Sequence, residues 1–141
     1  MSARRKARQR ALGILFQADL REVPLQEILA TEAERAAQEP ERMSSWLYAR
    51  EVVDGVSDHQ DEIDGLISKY SEGWTLERMP GVDRALLRLA AWEMLYNAEV
   101  PPAVAISEAI LLAQEYSTDD SSRFINGVLG NIATHAESPE T

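Results

Sequence analysis

Apolar residues recur every three to four positions along nearly the whole chain, and no segment alternates with period two over a strand's length, so the pattern predicts helices and no sheet. Ala7, Ala11, Ile14, Leu15 and Ala18 mark an amphipathic helix ending near Glu22. Pro24 suits a first helical position, and Leu25, Ile28 and Leu29 open a second helix expected to fade into an exposed end and loop over residues 31–42. Ser44 or Ser45 is placed to cap a third helix carrying Leu47, Val52, Val53 and Val56. Ile63, Leu66, Ile67 and Tyr70 define a fourth after Asp61, closed by Gly73 and Trp74.

From Val82 to Tyr96 the pattern changes, because Ala85, Leu86, Leu87, Leu89, Ala90, Ala91, Trp92, Met94 and Leu95 leave few polar positions on any face. A helix apolar nearly all round belongs at the centre of a bundle. Arg84 and Arg88, four apart, are exceptions, and their spacing predicts a short cationic ridge. Pro101 and Pro102 end this run, and Ile106, Ala109, Ile110 and Ala113 mark the next helix. A polar loop over residues 117–122 precedes a last helix with Ile125, Val128, Leu129 and Ile132 as its core stripe. The prediction is an all-α fold, a compact bundle of about seven helices over residues 1–136, with a disordered polar tail at 137–141.

The 141 residues fit one domain, and a 45% hydrophobic content suffices for its core. There is no cysteine, which excludes disulfides, thiolate zinc sites and a cysteine nucleophile. No apolar run approaches the roughly 18 residues of a spanning helix, and the start lacks the apolar stretch of a signal peptide, so a soluble, cytoplasmic protein with no membrane partner is expected. A net charge of −10 argues against a nucleic-acid partner until its distribution is considered. Arg4, Arg5, Lys6, Arg8 and Arg10 are five of 14 basic residues, leaving nine against 24 acidic ones in the rest. A basic arm on an acidic body suggests a polyanion for the arm and a basic or polar protein for the body. A merely solvating terminus is the plainer alternative.

His59 lies among Asp58, Asp61, Glu62 and Asp64, but one histidine beside a helix boundary is better explained by the preference of acids for a helix start than by a metal site. No nucleophile elbow, phosphate loop or dinucleotide fingerprint occurs, so neither an enzyme activity nor a cofactor is expected. Gly127 and Gly130, one turn apart, each cost the helix about 1 kcal/mol relative to alanine, which predicts close packing there. Phe124 falls beside the last core stripe and not at its centre. Such a ring commonly folds into the core's edge; exposed beside Arg123 and Asn126, it stacks on an unpaired base.

Three stretches, in order, resemble the NusB family of antitermination factors: the basic first helix from Arg4 to Leu12, Val82 to Leu89 with Trp92 to Leu95, and Val104 to Ala109 continuing to Phe124 to Leu129. The resemblance implies two helical subdomains and binding of the single-stranded boxA element of ribosomal RNA leader transcripts within the RNA polymerase antitermination complex. It also implies a partner, NusE, a small-subunit ribosomal protein. It assigns RNA contacts to Arg4, Arg5, Lys6, Arg8, Arg10, Arg84, Arg88, Asp120, Arg123, Phe124 and Asn126, and NusE contacts to Phe16, Glu77 and Asp83. A protein-binding adaptor and part of an RNA methyltransferase are the alternatives. A homodimer that covers the RNA surface stays open.

Overall fold

In a computed structural model, described over residues 2–135, the chain forms seven helices joined by short connections. They are α1 (Ala3–Arg21), α2 (Leu25–Gln38), α3 (Met43–Asp58), α4 (Gln60–Tyr70), α5 (Gly81–Tyr96), α6 (Pro102–Tyr116) and α7 (Asp119–His135). Single 3-10 turns, Pro40–Arg42 and Leu76–Arg78, precede α3 and α5. No strand occurs among the described residues, and the tail expected at 137–141 lies outside them.

Helix α1 starts where Ser2 Oγ accepts the Arg5 N–H at 3.1 Å, and ends at Glu22 in the left-handed region with φ 53°. It packs with α2 and α3 as one group, while α6, α7 and α4 surround α5 as the other. Helix α5 is the shared element, touching α1 and α3 as well. Arg8 meets Glu93 and Phe16 lies by Gly81, so α1 runs antiparallel to α5. Leu86, Leu87, Leu89, Ala90 and Ala91 are buried, as a helix without a polar face requires.

Several local expectations differ. Helix α2 continues through the polar stretch to Gln38, because Ala33 and Ala36 extend the stripe begun by Ile28 and Leu29. Neither Ser44 nor Ser45 caps α3: Ser45 is buried, with Oγ donating to the Arg42 carbonyl and accepting from Arg10 Nε at 2.9 Å. The loop expected over residues 117–122 shortens to two residues, since Thr118 Oγ1 accepts the Ser121 N–H at 3.1 Å and starts α7. The close packing expected at Gly127 and Gly130 is absent, with no heavy atom within 4 Å of an added Cβ at either. It occurs instead at Gly55, where an added Cβ would run into the Trp92 indole.

Candidate nucleic-acid interface

The five cations of the arm do not share one environment. Lys6 is exposed and Arg10 half-buried against Ser45. Arg4 meets Glu99 at 3.2 Å and lies 4.1 Å above the Tyr48 ring, a cation–π arrangement. Arg5 donates Nε and Nη2 to the two carboxylate oxygens of Glu108, both at 3.2 Å, and stays half-exposed.

Arg8 is different: it is 3% exposed, and its Nε donates to both oxygens of Glu93 at 3.0 Å. Glu93, fully buried, also accepts from the Tyr48 hydroxyl, which in turn accepts from Asn97 Nδ2 at 3.0 Å. Burial opposes the Arg8 charge, yet the Glu93 hydrogen bond and charge outweigh it and hold the guanidinium above its ordinary pKa. Burial, reinforced by Glu93, pushes the Tyr48 hydroxyl upward. Arg8 therefore clamps α1 to α5, and a phosphate has no access to it in this conformation.

The expected cationic ridge on α5 is likewise neutralised. Arg84 donates to Asp19 at 2.8 Å and to the Leu76 carbonyl at 2.7 Å. Arg88 is buried, bidentate to Asp64 at 2.9 and 3.0 Å and bonded to Asp19 at 2.9 Å. Two arginines facing two aspartates tie α1, α4 and α5 together and offer no free positive face.

At the opposite end of α5 from Glu93, the start of α7 carries the other expected residues. Asp120 and Arg123 form an exposed ion pair at 3.0 Å, Asn126 is exposed, and Phe124 is half-buried against the core. Phe124 thus combines both readings of the sequence, one side on the core and the remainder toward solvent. The indole of Trp74 stands beside it, ring centroids 6.3 Å apart and planes inclined by 57°. Trp74 is 52% exposed, whereas Trp46 and Trp92 are each 6% exposed. The sequence reading missed Trp74 as a site residue, since it lies in a turn where helical periodicity carries no information.

That turn is built by buried Ser71, whose Oγ donates to the Ile67 carbonyl at 2.5 Å and whose own carbonyl accepts the Trp74 N–H at 3.2 Å, and by Gly73 at φ +89°. On one side of the ring pair, a cleft of about 280 Å³ is lined by Tyr70, Glu72, Arg123, Gly127 and Asn131. A second cleft, with Met79, Pro80 and Ser121, lies on the other.

Of the residues expected to meet a protein partner, Glu77 is exposed and Phe16 half-buried near Gly81. Asp83 is enclosed at 2% exposure and accepts from Ser117 Oγ at 2.8 Å and Ser121 Oγ at 2.7 Å. Its carboxylate fastens the α6–α7 turn to α5, and so sets the start of the helix that bears Phe124. His59 stacks on Tyr96 with centroids 3.9 Å apart. Among the described residues no group of three or more His, Cys, Asp or Glu is arranged to hold a metal, and no helix is long and apolar enough to cross a membrane.

The family model described as "NusB family" matches residues 5–134. The transcription antitermination protein NusB of Leifsonia xyli subsp. xyli is 62% identical over 133 residues, covering 94% of this chain and 92% of that one. A structure of T. maritima NusB superimposes with a TM-score of 0.84 at 35% identity, over 99% of this chain and 96% of the other. A crystal structure of antitermination factors NusB and NusE in complex with double-stranded RNA gives 0.82 at 28% identity, over 95% and 98%.

Proposed function

Since this chain belongs to the NusB family of transcription antitermination proteins, we propose that it binds single-stranded boxA RNA of ribosomal RNA leader transcripts together with NusE. It does so in the cytoplasm, as part of the RNA polymerase antitermination complex, and without catalysis. The observation that carries this reading is the match to antitermination proteins over nearly the whole length of both chains.

The geometry supports a particular division of labour. Lys6, Arg10 and the half-exposed Arg4 and Arg5 provide the phosphate-facing cations. Arg8, Arg84 and Arg88 act through structure, by holding α1 and α5 in place beneath them. Arg123, Phe124 and Asn126, with Asp120 steering Arg123, supply stacking and hydrogen bonds for a base. From Glu93 to Asp83 is ten residues of α5, about 15 Å at 1.5 Å per residue, so the RNA must run lengthwise over several nucleotides to reach both regions. Phe16 and Glu77 are the accessible part of the proposed NusE contact, and Asp83 supports it from beneath.

Substituting alanine at Arg5, Lys6 and Arg10 together is expected to weaken binding to every RNA tested. It should also flatten the plot of log affinity against log salt, by about 0.7 for each single-strand phosphate that is no longer neutralised. A titration with a boxA-like RNA at several salt concentrations checks this. The internal pairing of Arg4 and Arg5 with Glu99 and Glu108 favours, as the second reading, an adaptor that binds only protein. That reading predicts no salt-dependent RNA binding by the wild-type chain.

A further inference from the structure

The geometry points to Trp74 as a second base-stacking residue, which holds an unpaired nucleobase in the cleft between α4 and α7, next to Phe124. The inference rests on the RNA-binding reading and extends it to a subsite on the α4 side.

A tryptophan half bared to water, when the other two are nearly enclosed, leaves a large flat apolar surface without a partner. It is held there by its backbone: the Trp74 N–H donates to the Ser71 carbonyl at 3.2 Å, and Ser71, buried, is tied to α4 through its Oγ on the Ile67 carbonyl at 2.5 Å. Phe124 braces the indole, but rings 6.3 Å apart and inclined by 57° admit no base between them. A base therefore lies on the exposed part of the indole, in the cleft that Tyr70 and Gly127 help to line. Gly127 adds no side chain to fill that space, which gives a use to a helical glycine that packs against nothing.

The polar groups around the cleft fit the same ligand. Asn131 lines it with an amide that has no hydrogen-bond partner among the described residues, and so offers both donors and an acceptor to a base edge. Arg123, its side chain 80% exposed, stands on the α7 side, and the carboxylate of Glu72 on the α4 side. Arg123 shares its charge with Asp120 but keeps exposed N–H groups for a phosphate, and Glu72 repels one, which directs the base inward over the indole. Aromatic stacking of this kind is tolerant of base identity, so the subsite adds affinity and footprint more than sequence selectivity.

The test uses a labelled single-stranded boxA-like RNA with the full chain and its Trp74→Ala and Trp74→Phe variants. Trp74→Ala is expected to weaken binding about 5- to 150-fold, with Trp74→Phe recovering most of the loss. A second readout is acrylamide quenching of wild-type tryptophan fluorescence, which Trp74 dominates because Trp46 and Trp92 are buried. Bound RNA should shield it. Wild-type affinity in Trp74→Ala, or quenching unchanged by RNA, overturns the subsite. If Trp74→Ala fails to fold, the wild-type quenching decides. Failure of the wild-type chain to bind the RNA, with or without NusE, instead overturns the RNA-binding reading and the subsite with it.

Discussion

Leu89→Asp is expected to abolish the folded state at 25 °C. Leu89 is 1% exposed at the centre of α5, the helix both helical groups share. The substitution forfeits about 1.5–3 kcal/mol of leucine burial and encloses a carboxylate whose isolated burial costs several kcal/mol more. Together these fall within the range of the whole stability of an ordinary domain, roughly 5–15 kcal/mol. The arginines on α5 cannot rescue it: Arg84 and Arg88 already answer to Asp19 and Asp64. Circular dichroism during heating should show no cooperative transition; one close to that of the wild type would show that α5 is not the central helix.

The second large effect falls on Glu93. Glu93→Ala leaves the Arg8 Nε and the Tyr48 hydroxyl buried without their shared acceptor, with Glu108, 3.5 Å from Arg8 Nη1, as the remaining anion. Breaking one partner of a buried ion pair costs about 3–5 kcal/mol, which for a chain of this length lowers the melting temperature by roughly 10 °C or more. The damage should be non-additive. Arg8→Met combined with Glu93→Leu removes both charges and is expected to be more stable than Glu93→Ala alone, because no uncompensated charge stays inside. Equal stability of the two variants would mean that Glu108 or solvent compensates the Arg8 charge. RNA affinity should fall in Glu93→Ala even at temperatures where it is folded, since the Arg8 clamp holds α1 where Arg4, Arg5 and Lys6 project.

Where burial follows from periodicity, the fold was legible in the sequence. The apolar character of residues 85–95, broken only by Arg88 and Glu93, placed α5 at the centre, and the seven helices follow from the 3.6-residue spacing. Pairings across long stretches of chain were not legible. Arg8 belongs by charge to the arm, but its spacing to Ala11, Leu12 and Leu15 puts it on the buried face of α1. Glu93, the one carboxylate in the apolar run after Arg84, required a cation from elsewhere, and both signals were available. Local charge density concealed them, and an ion pair between residues 85 apart leaves no mark in either segment alone.

The candidate site divides in the same way. The angular position of Phe124 beside its stripe foretold a half-buried ring, because helix geometry alone sets that angle. Trp74 had no such signal, since the Ser71–Trp74 turn depends on a hydroxyl, a left-handed glycine and packing under α7. Arg84 and Arg88 read as a ridge because their spacing is right for one; the aspartates that neutralise them come from α1 and α4. The glycines erred in the opposite sense: Gly127 and Gly130 stand in open surroundings, while Gly55, unremarkable in its helix, is where Trp92 presses on the backbone.

Whether this chain binds RNA jointly with NusE is tested most directly by a gel shift with a boxA-like single-stranded RNA, run with the chain alone and with NusE added. The expected result is a shift by the chain alone, a slower-moving band and higher apparent affinity with NusE, and a weaker shift with an unrelated RNA of equal length. The contradicting result is no shift with the chain in either lane, or a shift with NusE that is the same whether the chain is present or absent.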